Sequence, residues 1–418
     1  MQPLPVEDLA VYFEGETFDK AILSWNEVED PIEPTAKAEG YILQTRIDNG
    51  AFDSGVELKE VYSDGTRLCT SLKIEPGHIY SYRIVAFNKG GKSFASEVAS
   101  IGSPASTDTE KQSRKVLVVN NFDRVSGPAF FENESHAGFL SNKESGVPMN
   151  KEIAFTGEMY DFDKASQYTS DTNPGFGASY NDNFGGIIAG NTSDYAHIHG
   201  KALIAAGHPF CTCSKETFCQ DSTLADSFWT VDLVCGKQLT TVTPDGLEKY
   251  QVFPYDLQDA IRRFTSKGGN MLVSGAYIAT DIWDKVYPVQ TDTTYRKISK
   301  DFAGKVLGYK FNTNYGSRNG SLKMTAGGAL KWTDLSGQKY IYSAPDPDFY
   351  CVEHPDGIAP ASKSAQTIVR YADTGAPAGI AFKGNQYRTV CFGFPLEALK
   401  EEKDLHSIIG ACLMFIAE

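Results

Sequence analysis

The sequence predicts a two-domain protein, an N-terminal β-sandwich followed by a larger doubly wound α/β domain. Three observations predict it. At 418 residues the chain exceeds what one hydrophobic core usually organises. Residues 21–100 read as short apolar or alternating runs separated by turn residues, with no helical period between them. Beyond residue 114, continuous apolar runs alternate with helical stripes, the pattern of a parallel sheet covered on both faces. The bounds are 1–103 for the sandwich, 104–113 for a linker and 114–418 for the α/β domain.

The sandwich strands are read at Ala21–Trp25, Gly40–Arg46, Thr70–Ile74, Ile79–Asn88 and Phe94–Ala99. In the fourth, Tyr80, Tyr82, Ile84 and Ala86 alternate with Ser81, Arg83, Val85 and Phe87, so one face packs inward against Trp25. Lys89-Gly90-Gly91-Lys92 supplies a hairpin. Trp25, Tyr41 and the series Tyr80-x-Tyr82-x-Ile84-x-Ala86-x-Asn88-x-x-Gly91-x-Ser93-x-x-Ser96 resemble the fibronectin type III module over residues 8–103. The resemblance implies a spacer or adhesive module without chemistry of its own. Residues 102–113 are small, polar and Pro-containing, which marks the linker.

In the second domain Lys115–Asn120, Ala202–Ala206, Val231–Val234, Met271–Val273 and Thr389–Phe392 read as parallel strands. Leu257, Ala260, Ile261 and Phe264 form one helical stripe, stopped by Gly268-Gly269. Leu405, Ile408, Ile409, Cys412, Leu413 and Ile416 form another at the end. Ligands in such sheets sit outside the carboxyl ends of the strands. On this reading those ends are Asn120–Pro128, Gly207-His208-Pro209, Cys235–Gln238, Ser274–Tyr277 and Gly393–Glu397.

The helix, Gly-Gly, strand and Ser-Gly-Ala series over 257–281 resembles the class I glutamine-amidotransferase-like superfold, a flavodoxin-like three-layer arrangement. More narrowly, residues 121–128, 175–180, 189–195 with His199-Gly200, 231–236 and 392–395 resemble bacterial proteins labelled xanthan lyase or N-acetylmuramoyl-L-alanine amidase-associated. That resemblance implies an exported, periplasmic or cell-surface protein of Gram-negative bacteria. Neither label transfers literally: a xanthan-cleaving lyase needs a long α-helical toroid, and a zinc amidase needs a His/Glu ligand set that this chain lacks.

Active members of the superfold carry Cys in a Gly-x-Cys-x-Gly elbow. Here the turn reads Val273-Ser274-Gly275-Ala276-Tyr277; with neither Cys nor a Gly-x-Ser-x-Gly frame it reads as a degenerate, non-catalytic elbow, the alternative being Ser274 as nucleophile. His208 is the matching candidate base, for Ser274 or Cys235, with Asp123 or Glu397 as the acid; the alternative is a His held by local hydrogen bonds. Asp123-Arg124, directly after the first strand, suits bidentate grip of a carboxylate, phosphate or sugar oxygen, or an ion pair that pins the loop. Ser126, Tyr180, His199 and Glu397 complete the candidate ligand-binding set. The aromatic, glycine-rich segment 160–195 suits carbohydrate, whose ring faces stack on aromatic rings while its hydroxyls hydrogen-bond to Asn and Asp.

Cys211, Cys213 and Cys219 cluster with His208, but without C-x-x-C spacing they read as free thiols or a disulfide rather than a zinc site. Asp161, Asp163, Asp346 and Asp348 are weak calcium candidates. No metal or other cofactor is expected. A formal charge of -14 without a Lys/Arg-rich face argues against nucleic acid and anionic membranes as partners. No run reaches the ~20 apolar residues of a membrane span, and Met1–Pro5 lacks the charged and apolar regions of a signal peptide. The expectation is an accessory protein binding carbohydrate or peptidoglycan fragments at the strand ends. The alternatives are an amidase or esterase built on Ser274 or Cys235 with His208, and a structural adhesion protein.

Overall fold

The computed structural model describes the chain except residues 31–32, 94, 106–107, 123–128, 141–159, 179–193, 239–240, 243–247, 250, 284–291, 326–329, 331–334 and 343–350. The architecture is sheet-rich, and the longer helices lie beyond the linker.

In the first hundred residues the strands are β1 (Ala10–Phe13), β2 (Lys20–Trp25), β3 (Gly40–Ile47), β4 (Leu68–Lys73), β5 (Ile79–Asn88) and β6 (Ala99–Gly102). β2 pairs antiparallel with β1 and β4, while β5 pairs with β3 and β6, giving two layers. The period of two in β5 works as expected: Tyr80, Tyr82, Ile84 and Ala86 are buried in the cluster that holds Trp25. The Trp25 ring meets Tyr41 edge-on at 5.2 Å. Burying each such side chain is worth about 1.5–3 kcal/mol, so this face is what makes the sandwich a stable layer pair.

Beyond it come β7 (Val116–Asn120), α1 (Tyr195–Ala205), β8 (Phe210–Ser214), α2 (Lys215–Gln220), β9 (Thr230–Gly236), α3 (Tyr255–Ser266), β10 (Asn270–Gly275), α4 (Thr293–Phe302), β11 (Ala365–Tyr371), β12 (Pro377–Lys383), β13 (Arg388–Phe392) and α5 (Glu402–Ala417). Five strands pair in parallel in the order β8-β7-β9-β10-β13. Beyond β13 the sheet continues antiparallel through β12 and β11. Alternate residues of the parallel strands enter two cores: Leu117, Val119, Val231, Leu233 and Val273 pack with α2 and α3, and Val116, Val118, Val234 and Leu272 with α1 and α5.

Two strand assignments made from sequence are corrected. The strand read at Phe94–Ala99 begins only at Ala99 and runs to Gly102, as β6, since residues 95–98 take no regular structure. Ala202–Ala206 is not a strand; residues 202–205 end helix α1, and Gly207, at φ +91, turns the chain out of it. Ala and Leu favour helix, and the run lies among the α1/α5 core residues, so its apolarity marks burial and not strand. The strand is β8, Phe210-Cys-Thr-Cys-Ser214, whose polar residues hid it. The linker is also more structured than its composition suggests: Asp108 caps a short helix, Thr109–Ser113, through the amides of Glu110 and Lys111.

The two parts share hydrogen-bonded strands. β1 pairs with β2 on one side and antiparallel with β8 on the other, Ala10 opposite Cys213 and Val11 opposite Thr212. β6 meets β8 where Gly102 lies opposite Phe210. The Phe210 ring also fits against α1 at Gly200, where an added Cβ would stand 2.1 Å from the ring. Gly200→Ala is therefore expected to cost about 1–3 kcal/mol through overpacking, against a gain of about 1 kcal/mol in helix propensity. Urea denaturation of the two proteins checks the sign.

Candidate functional site

The carboxyl ends of the parallel strands bring together Asn120 and Asn121 after β7, Ser214 of β8, Cys235 and Gly236 of β9, Ser274 and Gly275 of β10, and the turn Leu396–Ala398 after β13. The chain runs both ways from β7, to β8 on one side and β9 on the other, so the topological switch point falls between Asn121 and Gly236. Asn121 Nδ2 donates to the Val252 carbonyl at 3.2 Å and lies 3.3 Å from Cys235 Sγ. Gly236 sits at φ +50 and carries no side chain there; a Cβ at that place would stand 3.6 Å from Glu397 Oε1 and 3.8 Å from Phe122 Cβ. A carboxylate and an aromatic ring thus flank this buried position, and the Phe122 ring packs on Tyr195 at 4.7 Å.

Beneath that edge lies a fully buried ion triad. His199 Nδ1 donates to Asp232 Oδ2 at 2.6 Å and Nε2 to Glu397 Oε2 at 3.3 Å, with none of the three side chains exposed. Asp232 reaches it because even positions of β9 face α1, on which His199 stands; Glu397 arrives from the turn after β13. Burial would lower the imidazole's pKa, but the Asp232 charge and hydrogen bond, joined by Glu397, override it and raise the value to about 10. At neutral pH His199 is therefore a cation with both N–H groups committed. It is a poor general base, because it has no lone pair to offer.

The candidate residues fall into three groups. His199 and Glu397 meet, as above. Asp123, Arg124, Ser126 and Tyr180 lie outside the described residues, as do Asp346 and Asp348. Ser274 and His208 are not partners, which corrects the proposed nucleophile–base pair. With Ala202–Ala206 helical, His208 precedes β8 and sits at the amino ends of the strands, where Pro209 O accepts from Val116 N. Ser274 stands at the opposite end, about 15 Å away along a five-residue strand. His208 is the locally held alternative: its Nδ1 lies 3.0 Å from the Arg114 carbonyl and its ring stacks on Trp229, with burial lowering its pKa.

The other reactive candidates are quiet. Ser274 Oγ is buried on the α1 face with no hydrogen-bond partner among the described residues. Burial pushes the Cys235 thiol up to about 12, against the hydrogen bond from Asn121. Cys211, Cys213 and Cys219 are free thiols, and burial pushes Cys211 up to about 12. Among the described residues no group of three or more His, Cys, Asp or Glu is arranged to hold a metal ion. Asp161 and Asp163 instead accept backbone amides two residues ahead in their own turn.

Sequence reasoning missed Asp232. Its signal was an acid inside the run Val231-Asp-Leu-Val-Cys235, buried on both faces, where an ionised carboxylate demands a partner. It also missed Asp281 and Asp356, buried beside the turn after β10. Asp356 accepts from the Ala279 and Thr280 amides, and Asp281 from the Val252 amide and the Tyr295 hydroxyl. Burial raises them to about 7 and about 8.

No family model matches the chain, and no curated protein matches it. Solved structures with local likeness include "Structure of FN3tt mut" (16% identity, 24% of this chain and 97% of that one, TM-score 0.20). A fibronectin type-III domain of human fibronectin type III domain containing protein 3 gives 21% identity over 26% of this chain and 94% of that one, TM-score 0.19. An exo-beta-1,4-mannosidase from Opitutaceae bacterium strain TAV5 gives 11% identity over 56% of this chain and 33% of that one, TM-score 0.32.

The triad and the two acids set the pH dependence of stability. His199 is raised above its unfolded value, so its contribution is complete below about pH 6.5 and disappears as pH rises towards 10. Asp281 and Asp356 are raised from 3.8, so stability also falls as pH climbs through about 7 and 8. The urea midpoint is expected to be higher at pH 6 than at pH 9.5, and His199→Gln should flatten the alkaline limb. That variant leaves two buried carboxylates unneutralised, so it should cost about 3–5 kcal/mol at pH 7.

Proposed function

We propose that the chain is an exported, cell-envelope or glycan-associated accessory protein that binds a carbohydrate or peptidoglycan fragment at the strand carboxyl ends. The observation that carries this reading is the side-chain-free position at Gly236, flanked by the Glu397 carboxylate and the Phe122 ring. Carboxylate oxygens accept sugar hydroxyls and aromatic rings stack on sugar faces; the His199 imidazole, buried with both N–H groups committed to Asp232 and Glu397, fixes the acid in place and makes no ligand contact of its own. The strand order β8-β7-β9-β10-β13 is, in chain order, 2-1-3-4-5, which supports reading residues 114–418 as a doubly wound, flavodoxin-like domain. The amidotransferase-like reading and the exported location rest on the sequence resemblance alone.

The absence of a base beside Ser274 and Cys235 among the described residues weighs against the hydrolase alternative. No membrane partner is invoked, and no described helix is long and apolar enough to cross a membrane. Calorimetric titration with muropeptides and defined polysaccharides tests the proposal. Wild type should bind at least one of them, and Phe122→Ala should weaken that affinity by about tenfold, ~1.4 kcal/mol. Binding to none of the panel would overturn the reading. A fluorophosphonate and an iodoacetamide probe should leave Ser274 and Cys235 of the native protein unlabelled; selective labelling of either would restore the hydrolase.

A further inference from the structure

Helix α1 carries the imidazole of the buried triad, yet it lacks an ordinary start. Asp194 occupies the N-cap position but accepts no capping hydrogen bond from the first amides of the helix. Its carboxylate is turned outward to the sandwich. There Arg46 of β3 grips it with both arms of the guanidinium, Nη1 to Oδ2 at 2.7 Å and Nη2 to Oδ1 at 2.6 Å. The pair is largely buried, with Arg46 11% and Asp194 18% exposed. Arg46 is itself held: Nη2 donates to Ser81 Oγ on β5 at 3.0 Å, and the guanidinium lies 4.9 Å over the Phe52 ring. One turn on, His197 Nε2 lies 3.2 Å from Asn49 Oδ1, a second tie from the helix to the sandwich. Burial holds His197 near pKa 4, so it meets the sandwich as a neutral ring.

We propose that Arg46 is a positioning residue for the strand-end centre, so that the sandwich sets the placement of His199 between Asp232 and Glu397 and is more than a spacer. The first turn of a helix frays unless its end is capped, and His199 stands five residues beyond Asp194. The fork from Arg46 anchors that end of the helix to β3 through the Asp194 side chain. Fixing Asp194 fixes Tyr195, whose ring rests on Phe122, and through the helix it fixes the height at which the imidazole meets its two acids. The titratable groups that face His199 are Asp232 from β9 and Glu397 from the turn after β13; Tyr195 faces Glu397 from α1 itself, and Cys412 of α5 lies near Asp232. None of these belongs to the sandwich, so an effect of Arg46 on His199 has to travel through the helix.

This inference uses the strand-end reading only for its bearing on affinity, and the decisive measurement is made without ligand. The 15N signals of the His199 ring are followed against pH in the full chain for wild type, Arg46→Ala and Arg46→Lys. Wild type should keep the imidazolium pattern to pH 8.5. In Arg46→Ala the ratio of imidazolium to imidazole at a given pH should fall by about tenfold, a shift of about one pH unit. Arg46→Lys keeps the charge but offers one ammonium to two oxygens, so it should show the same shift in smaller size. It replaces Arg46→Ala if that variant is too unstable to titrate. The exchanged pair, Arg46→Asp with Asp194→Arg, should recover most of the wild-type titration. His199 titrating as wild type in a folded Arg46→Ala or Arg46→Lys overturns the proposal, whatever the glycan titrations show.

Discussion

A charged imidazole with no exposed surface has to be neutralised where it stands, and at His199 that requirement ties distant parts of the chain together. Asp232 comes from the middle of β9, Glu397 from the turn after the last parallel strand, and His199 from the helix between the first two. Two acids meet one cation in a dry site, and the cation is the member that cannot be spared, since removing it leaves both acids buried without a counter-charge. The sheet order, the height of α1 and the path of the turn at Leu396–Ala398 are therefore coupled. The packing around Gly236 follows from that coupling, because the second oxygen of the Glu397 carboxylate stands against it.

The same charge state fixes what the His199 imidazole can do at this edge. An imidazole that donates through both nitrogens has spent its basicity on its neighbours. Cys235 and Ser274 stand in the places where a nucleophile would be sought, but burial keeps the one a protonated thiol and the other is a hydroxyl with no hydrogen-bond partner among the described residues. What remains is directional: fixed charge, an amide at Asn121 and an aromatic ring, arranged around a position with no side chain of its own.

Much of the fold was legible because it follows simple periods. The alternation in β5 and the Val-rich runs of β7 and β9 name their own surroundings. Legibility failed where composition and burial parted company. Ala202–Ala206 is apolar because α1 is packed between sheet and α5, and Phe210–Ser214 is polar although wholly buried, so the two exchange the signatures of helix and strand. That single exchange carried His208 to the wrong end of the sheet. Glu397 was legible as a polar group at a strand end and His199 as a member of the candidate binding set, but not their partner: the meaning of Asp232 depends on which face of β9 meets α1, which no local window contains. The role of Arg46 was beyond sequence reasoning for the same reason, since it depends on contact across a linker.

The double pairing of β1 has a consequence for taking the protein apart. A cut at residues 103–104 looks like a clean boundary in composition, yet β1 and β6 both hydrogen-bond to β8. The larger fragment would begin its life with an open, unpaired edge on β8, and the smaller one with the matching edge on β1. Each is a template for a foreign strand. Expressed separately, the halves would present adhesive surfaces that the intact chain spends on itself, so the natural unit of handling is the whole molecule.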